Sequence, residues 1–423
     1  MHLNNKKYDK YKDSGIEWIG KIPQDWNLIR LKQHYTFEKG KNAALYTNEY
    51  IGLHEGEYPV YSGQTENEGI MGYVKTFDYD EAICVFTTTV GAKVMTPKIL
   101  SGKFCLSQNC LIMKKFGTLN ERFLYYQLLS LFDYEKSLIP SYMQPSLRIQ
   151  DLKKYIVITC NEQQAIADYL DKKCGEIDNA IETEKNVIEK LKEYKQSVIT
   201  ETVTKGLDKS VELKDSGVEW IGKIPKHWEL RKIKTIGKYR NGLTYSPEDI
   251  CEEEQGTLVF RSSNIKNGKL SLNDNVYVSS QILNILKVQK GDILICSRNG
   301  SRELIGKNAI IDIDINASFG AFMMIFRCEN PKYLYYILNS HIFNYYLGSF
   351  FTSTINQLTG RNFGDMEIVF CPVYEEQKQI AEYLDKKCSQ IDETIKKKEE
   401  LIEKLAEYKK SLIYECVTGK RRV

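Results

Sequence analysis

Two stretches of this 423-residue chain occur twice. Residues 13–32 (DSGIEWIGKIPQDWNLIRLK) return as 215–234 (DSGVEWIGKIPKHWELRKIK), identical at 13 of 20 places with an offset of 202. Residues 162–204 return as 376–418 with an offset of 214. A chain built this way is a tandem duplication, so its fold must be one that a single module can make twice. The interiors, 33–161 and 235–375, have diverged almost completely, and the second is 12 residues longer. Constant frames hold variable inserts: the frames carry a shared mechanical task and the inserts a choice.

The longer repeat reads as a helix. Its apolar positions are Ile166, Leu170, Cys174, Ile177, Ile181, Ile188, Leu191 and Val198, repeated at Ile380, Leu384, Cys388, Ile391, Ile395, Ile402, Leu405 and Leu412. Steps of four and three give a period near 3.5, the seam of a coiled coil rather than the wider face of a globular helix. Gly175 is the one breaker in either run, and Ser389 replaces it in the copy. About 42 residues at about 1.5 Å each make a helix on the order of 60 Å long, which needs a partner along its stripe. The order insert, helix, insert, helix lets the two helices pair antiparallel about a pseudo-twofold axis, with the inserts at opposite ends. The plainer alternative packs each helix on its own insert. Gly20, Pro23 and Trp26, with Gly222, Pro225 and Trp228, predict an irregular arm before each insert, its tryptophans packed in the core. The resulting fold class is α+β: two globular mixed α/β domains and two long antiparallel coiled-coil helices. The expected boundaries are 13–160, first domain with its arm; 161–205, first helix; 206–214, connector; 215–374, second domain; 375–418, second helix; 419–423, tail.

Composition excludes more than it assigns. With 42% hydrophobic and 27% charged residues the chain can bury ordinary cores. Eleven scattered cysteines without a C-x-x-C pair point to free thiols in a reducing compartment. The polar start MHLNNKKYDKYKDSG and the lack of an apolar run of roughly 20 residues predict a soluble, cytoplasmic protein. The five histidines, His2, His34, His54, His227 and His341, are isolated in sequence, which argues against zinc. A net charge of +3 leaves a polyanionic partner open, because a local basic surface suffices to neutralise phosphates.

The inserts are related too. Residues 120–130 (NERFLYYQLLS) resemble 330–340 (NPKYLYYILNS), a small helix with a shared Leu-Tyr-Tyr. Upstream, apolar runs flank polar turns: 82–86 before a tip and a strand from Lys93, then 292–296 before a tip and 308–313. The first tip offers Thr87, Thr88, Thr89 and Lys93, the second Arg298, Asn299, Ser301, Arg302 and Lys307. Arg suits guanine edges, Asn and Gln adenine, and Thr a thymine methyl, although an ordinary surface turn uses the same residues. Matching polar places are Lys39, Lys41 and Asn42 with Arg240 and Asn241. Tyr61, Ser62, Gln64 and Thr65 match Arg261, Ser262 and Asn264. Ser141, Tyr142, Gln144 and Arg148 match Thr352, Ser353, Asn356, Gln357, Arg361 and Asn362.

Catalytic signatures do not form. The nearest phosphate loop, GSRELIGKN at 300–308, has one residue too many between its glycines and Asn308 where a magnesium-binding Ser or Thr belongs. There is no Asn-Pro-Pro-aromatic signature of adenine methylation, and Glu252, Glu253 and Glu254 have no counterpart in the other half.

Two variable inserts, each preceded by EWIGKIP..W and followed by EQ..IA.YLD.K...ID..I, with the ending VTGKRRV, resemble the specificity subunit of a type I restriction-modification system over essentially the whole chain. That resemblance implies a non-catalytic subunit with two target recognition domains, each reading half of a split, asymmetric double-stranded DNA sequence. The paired helices would fix the spacer and dock two methyltransferase subunits that carry S-adenosylmethionine. A restriction subunit using ATP and magnesium would join them. Tyr408 and Lys409 are then expected on the docking surface. Lys39, Lys41, Lys93, Arg240, Lys307 and Arg361 would hold phosphates. In the matched helix starts Pro372 becomes Ile158. A reader for a methylase-only system, and a coiled-coil scaffold with protein-binding inserts, are the alternatives.

Overall fold

The computed structural model describes residues 7–63, 67–91, 93–219, 221–350 and 357–423. Gln64, Thr65, Thr352, Ser353 and Asn356, named above, lie outside the described residues. Two units partition the chain, Met1–Glu184 with Glu399–Val423 and Lys185–Lys398, so each contains one insert and one segment of each long helix.

The long helices are Gln163–Lys205 and Tyr374–Val417. Each ends at a glycine with positive φ, Gly206 and Gly419, the residue type that can turn the chain there without a Cβ clash. In the first unit Ile166, Leu170, Cys174 and Ile177 share a core with Leu412, Ile413, Cys416 and Val417. Lys409 Nζ reaches both carboxylate oxygens of Asp178 at 2.7 Å. Tyr169 faces Arg421, so the segments run antiparallel. The second unit repeats this: Val198, Ile199 and Val203 pack with Ile380, Leu384 and Cys388, and Lys195 Nζ meets Asp392 at 2.7 Å. Asp178 and Asp392, like Lys195 and Lys409, are 214 residues apart, so the two ion pairs are copies of each other. The plainer alternative also holds in part. Tyr126 donates to Asp171 and Tyr336 to Asp385, both at 2.7 Å, which explains the shared Leu-Tyr-Tyr: it fastens each insert's helix to the long helix after it.

The arms are more regular than expected. Tyr11–Asp13 pairs antiparallel with Lys21–Pro23, and Leu213–Asp215 with Lys223–Pro225. Trp26 and Trp228 are buried, as core packing requires. Asn27–Arg30 then pairs with Ile156–Thr159, and Glu229–Lys232 with Glu367–Phe370, so the two ends of each insert are zipped together. This register corrects the match of Pro372 with Ile158. Ile158 pairs with Leu28 and Val369 with the equivalent Leu230, which makes Cys160 the counterpart of Cys371 in the repeat. Three residues separate strand from helix in each copy, Pro372 among those of the second, and the second long helix starts at Tyr374, three residues ahead of the place equivalent to Gln163.

In the first insert one six-stranded sheet runs in the order Tyr35–Lys39, Cys110–Lys115, Tyr79–Thr88, Pro97–Leu106, Glu55–Tyr61, Ile70–Val74. All neighbours are antiparallel except Pro97–Leu106 with Glu55–Tyr61, which is parallel through Val60↔Cys105. The second insert keeps this plan in pieces. Gly237–Asn241, Met323–Cys328, Ile293–Cys296 and Asn308–Ile310 form one antiparallel sheet, and the parallel pairing recurs separately as Thr257–Phe260 with Ala317–Phe319. The predicted hairpins exist, with strands longer than expected in the first insert, where the returning strand starts at Pro97 rather than Lys93. Gly40 and Gly242 occupy the same place. A Cβ there would lie 2.4 Å from the Leu106 carbonyl oxygen or 2.2 Å from that of Phe319, so two backbones cross where no side chain fits.

Candidate nucleic-acid interface

Registers define the equivalent positions in the two inserts. Thr88 faces Cys110 as Cys296 faces Met323, and the Leu147 and Leu358 amides donate to the carbonyls of Thr89 and Ser297, both at 2.8 Å. Isolated bridges join Val90 to Ser146 and Arg298 to Gln357. Val90 and Arg298 are therefore one backbone site carrying two side chains, and so are Ser146 and Gln357. By the same register Asn109 corresponds to Phe322.

In the first insert this frame surrounds a cleft of about 370 Å³ whose walls include Tyr46, Thr47, Ser62, Val90, Gln108 and Asn109. Gln108 and Asn109 are exposed, and Asn109 adopts φ 65°, a left-handed conformation that Asn tolerates. Neither was among the candidates. The signal was available: Ser107-Gln108-Asn109 is a short polar break between the apolar runs 104–106 and 110–113. Ser62 is half-buried on the rim, Lys93 is exposed, and the loop from Ser141 through Gln144 stands out in solvent, with Tyr142 85% exposed. Arg148 precedes the short helix Ile149–Lys154, where its amide donates to Asp151. Lys39 is exposed, whereas Lys41 donates to the Asp78 carbonyl at 2.8 Å and Asn42 to the Asp78 carboxylate at 2.6 Å. Burial pushes the Tyr79 hydroxyl up to about 12, so it stays a donor at neutral pH and holds the Lys39 carbonyl at 2.6 Å.

In the second insert the Arg298 guanidinium lies over the exposed Phe322 ring, 5.2 Å from its centroid, a packing that keeps an arginine extended. Asn299 donates to Ser262 Oγ at 3.1 Å, joining two of the predicted loops. Arg261 pairs with Asp274 at 3.0 Å, yet its Nε is buried without a partner, as is the Ser263 hydroxyl. Ser301 is exposed, and Arg302 donates to the Gly348 carbonyl at 3.4 Å. Gln357 is half-buried at its bridge, and Asn362 sits in the first turn of Gly360–Asp365, capped by Thr359. Arg240, Asn241 and Arg361 are exposed.

Several candidates belong to the frame instead. Thr87, Thr88 and Thr89 are buried, because the strand runs on to Thr88 and the ladder with Cys110–Lys115 encloses it; Thr88 also bonds the Lys93 carbonyl. Asn264 is wholly buried and donates to Ser271 at 3.0 Å and Asp274 at 3.2 Å, which shapes its loop. The Tyr61 ring packs between Phe86 and Phe104. Lys307 is spent on the Ile265 carbonyl at 3.0 Å. A side chain fully enclosed by its own sheet has no face left for a ligand. Lys409, expected on a docking surface, is held by Asp178 within the helix pair; Tyr408 is 40% exposed.

Among the described residues no helix is long and apolar enough to cross a membrane. The family model for the type I restriction modification DNA specificity domain matches residues 23–193 and again 225–404. The specificity subunit of the type I restriction enzyme StySPI from Salmonella potsdam is 29% identical over 205 residues, 47% of this chain and 44% of that one. The aligned stretch thus spans less than half of that relative. The MjaVIII specificity subunit of Methanocaldococcus jannaschii is 27% identical over 95% of this chain and 94% of its own. A solved structure described as the basis of complex assembly and conformational transition of the type I R-M system superposes with TM-score 0.71 at 12% identity, covering 94% of this chain and 98% of that chain. With both halves matched by one model, the chain belongs to the type I restriction modification DNA specificity domain family, as a tandem pair of that domain.

Proposed function

We propose that this chain is the DNA-reading subunit of a type I restriction-modification complex, each insert contacting one half of a bipartite, asymmetric double-stranded target. The observation that carries this reading is the pair of equivalent loop clusters. One backbone frame presents Val90, Ser146 and Asn109 in the first unit and Arg298, Gln357 and Phe322 in the second. The same scaffold with different chemistry reads different bases: Arg298 suits a guanine edge and Gln357 an adenine. Exposed Lys39, Lys93, Arg148, Arg240 and Arg361 position the duplex through phosphates and carry no sequence information. Each wrong base pair costs roughly 1–3 kcal/mol, so two half-sites read by one chain multiply their discrimination.

Methyl transfer then belongs to methyltransferase subunits bringing S-adenosylmethionine, two of which dock on the paired helices, and cleavage to a restriction subunit using ATP and magnesium. The helices set the spacer between half-sites. Single-molecule methylome sequencing of cells expressing the chain with its methyltransferase, against cells lacking only this chain, tests the reading. A split motif with one methylated adenine in each half disappears with the chain. Arg298→Ala relaxes the second half-site and leaves the first intact. A change in both halves overturns the modular reading, and methylation independent of the chain overturns DNA reading altogether.

A further inference from the structure

We propose that the second unit holds a site for one thiophilic divalent cation of the zinc class, with His227, Cys371 and Glu376 as its ligands. The histidines are isolated in sequence, but the fold brings one of them to a thiol and a carboxylate. His227 precedes the strand Glu229–Lys232, Cys371 follows the paired strand Glu367–Phe370, and Glu376 lies in the first turn of the second long helix. Their donor atoms lie within 4.8 Å of one another. Glu376 Oε2 is 2.9 Å from His227 Nε2 and 3.1 Å from Cys371 Sγ. Zinc bonds of about 2.0–2.3 Å in tetrahedral array set ligand edges of about 3.3–3.6 Å, so the two edges at Glu376 open by a few tenths of an ångström while the His227–Cys371 edge, at most 4.8 Å, closes onto the ion.

Imidazole, thiolate and carboxylate together select a borderline-soft ion over magnesium or calcium, which take oxygen donors. The surroundings orient these ligands. Trp228 Nε1 donates to the other carboxylate oxygen of Glu376 at 3.2 Å, and the Cys371 amide donates to the Tyr333 hydroxyl at 3.1 Å. Such outer partners fix a ligand's geometry. Cys371 is buried while His227 is exposed, so the fourth position opens to water. On binding, a metal–sulfur bond replaces the Cys371 S–H bond and the proton leaves to solvent. His227 binds through its Nε2 lone pair, with its proton on Nδ1.

The duplication supplies an internal control. At the corresponding places the first unit has Asp25, Cys160 and Glu162, and there the Tyr8 hydroxyl takes Glu162 at 2.6 Å. Replacing the imidazole removes the nitrogen donor, and among the described residues no second such trio forms. The expected stoichiometry is therefore one ion per chain rather than two.

Cobalt(II) titrated into the chelator-stripped full chain tests this. Expected are a sulfur-to-cobalt charge-transfer band saturating at one equivalent, loss of the band in Cys371→Ser, and displacement of cobalt by zinc. His227→Asn, at an exposed position that leaves the core intact, weakens binding by roughly tenfold or more, since even an outer-sphere partner is worth about that much. Cys160→Ser leaves binding unchanged. No band in the full chain, a band that survives Cys371→Ser, tight binding unaltered by His227→Asn, or loss of binding in Cys160→Ser would each overturn the inference.

Discussion

At the scale of single residues, the cysteines show how burial sets chemistry. Desolvation pushes the thiols of Cys110, Cys160 and Cys416 up to about 12, and those of Cys174 and Cys388 to about 11. A buried thiol prefers its neutral form, so the folded value lies above the ordinary 9.0. By linkage the stabilisation is fully present below pH 9.0, the unfolded value, and is lost as pH rises through about 11 and 12. Equilibrium urea unfolding should give constant stability up to pH 9.0 and a steady fall from there to about pH 12. A flat profile across the whole alkaline range would contradict the burial seen here. The same thiols react sluggishly at neutral pH, because the thiolate is the nucleophile.

Among the secondary elements, the long helices hold together by a narrow apolar seam plus a duplicated cross-helix ion pair. Asp178 and Lys409 are partly exposed, so their pairing is worth about 0.2–1 kcal/mol rather than several. Asp178→Lys sets two cations against each other and should destabilise the first unit by about 1 kcal/mol, while Asp178→Lys with Lys409→Asp recovers most of it. Double-mutant analysis of denaturant midpoints measures this; no recovery in the reversed pair would show that the contact is incidental. The seam was legible from its period alone. The ion pairs were not, because nothing in a 3.5-residue repeat tells which helix faces which, or in which register.

For the molecule as a whole, the second unit is one continuous stretch, Lys185–Lys398, whereas the first is completed by a segment from the far end of the chain, Glu399–Val423. Leu412, Ile413, Cys416 and Val417 complete the core around Trp18, Ile19, Ile22 and Trp26, and Lys420 donates to the Ile19 carbonyl at 2.7 Å. Each such buried side chain is worth roughly 1.5–3 kcal/mol, an upper estimate, and domains are stable by only about 5–15 kcal/mol. Deleting residues 399–423 should therefore unfold the first unit, although the cut is far from it in sequence. Amide hydrogen exchange reads the outcome: protection should vanish in residues 13–31 and 163–184. Retained protection there would mean that the last helix segment is dispensable.

Repetition, the 3.5-residue period and the Leu-Tyr-Tyr echoes are local or self-referential patterns, so the amino-acid sequence by itself determined the duplication, the two long helices, the hairpins and the family. Tertiary structure decided what a given polar side chain is free to do. Thr87 and Asn264 look like ligands in a linear chain, but Thr87 is enclosed by its two neighbouring strands and Asn264 is turned inward onto the Ser271 and Asp274 carbonyls of its own loop, whereas Gln108 and Asn109 reach the cleft from a short polar break between two strands. His227 meets Cys371 across 144 residues only because two strands zip the ends of an insert together. Burial and juxtaposition are properties of contacts between distant segments, and a periodicity in one segment carries no record of them.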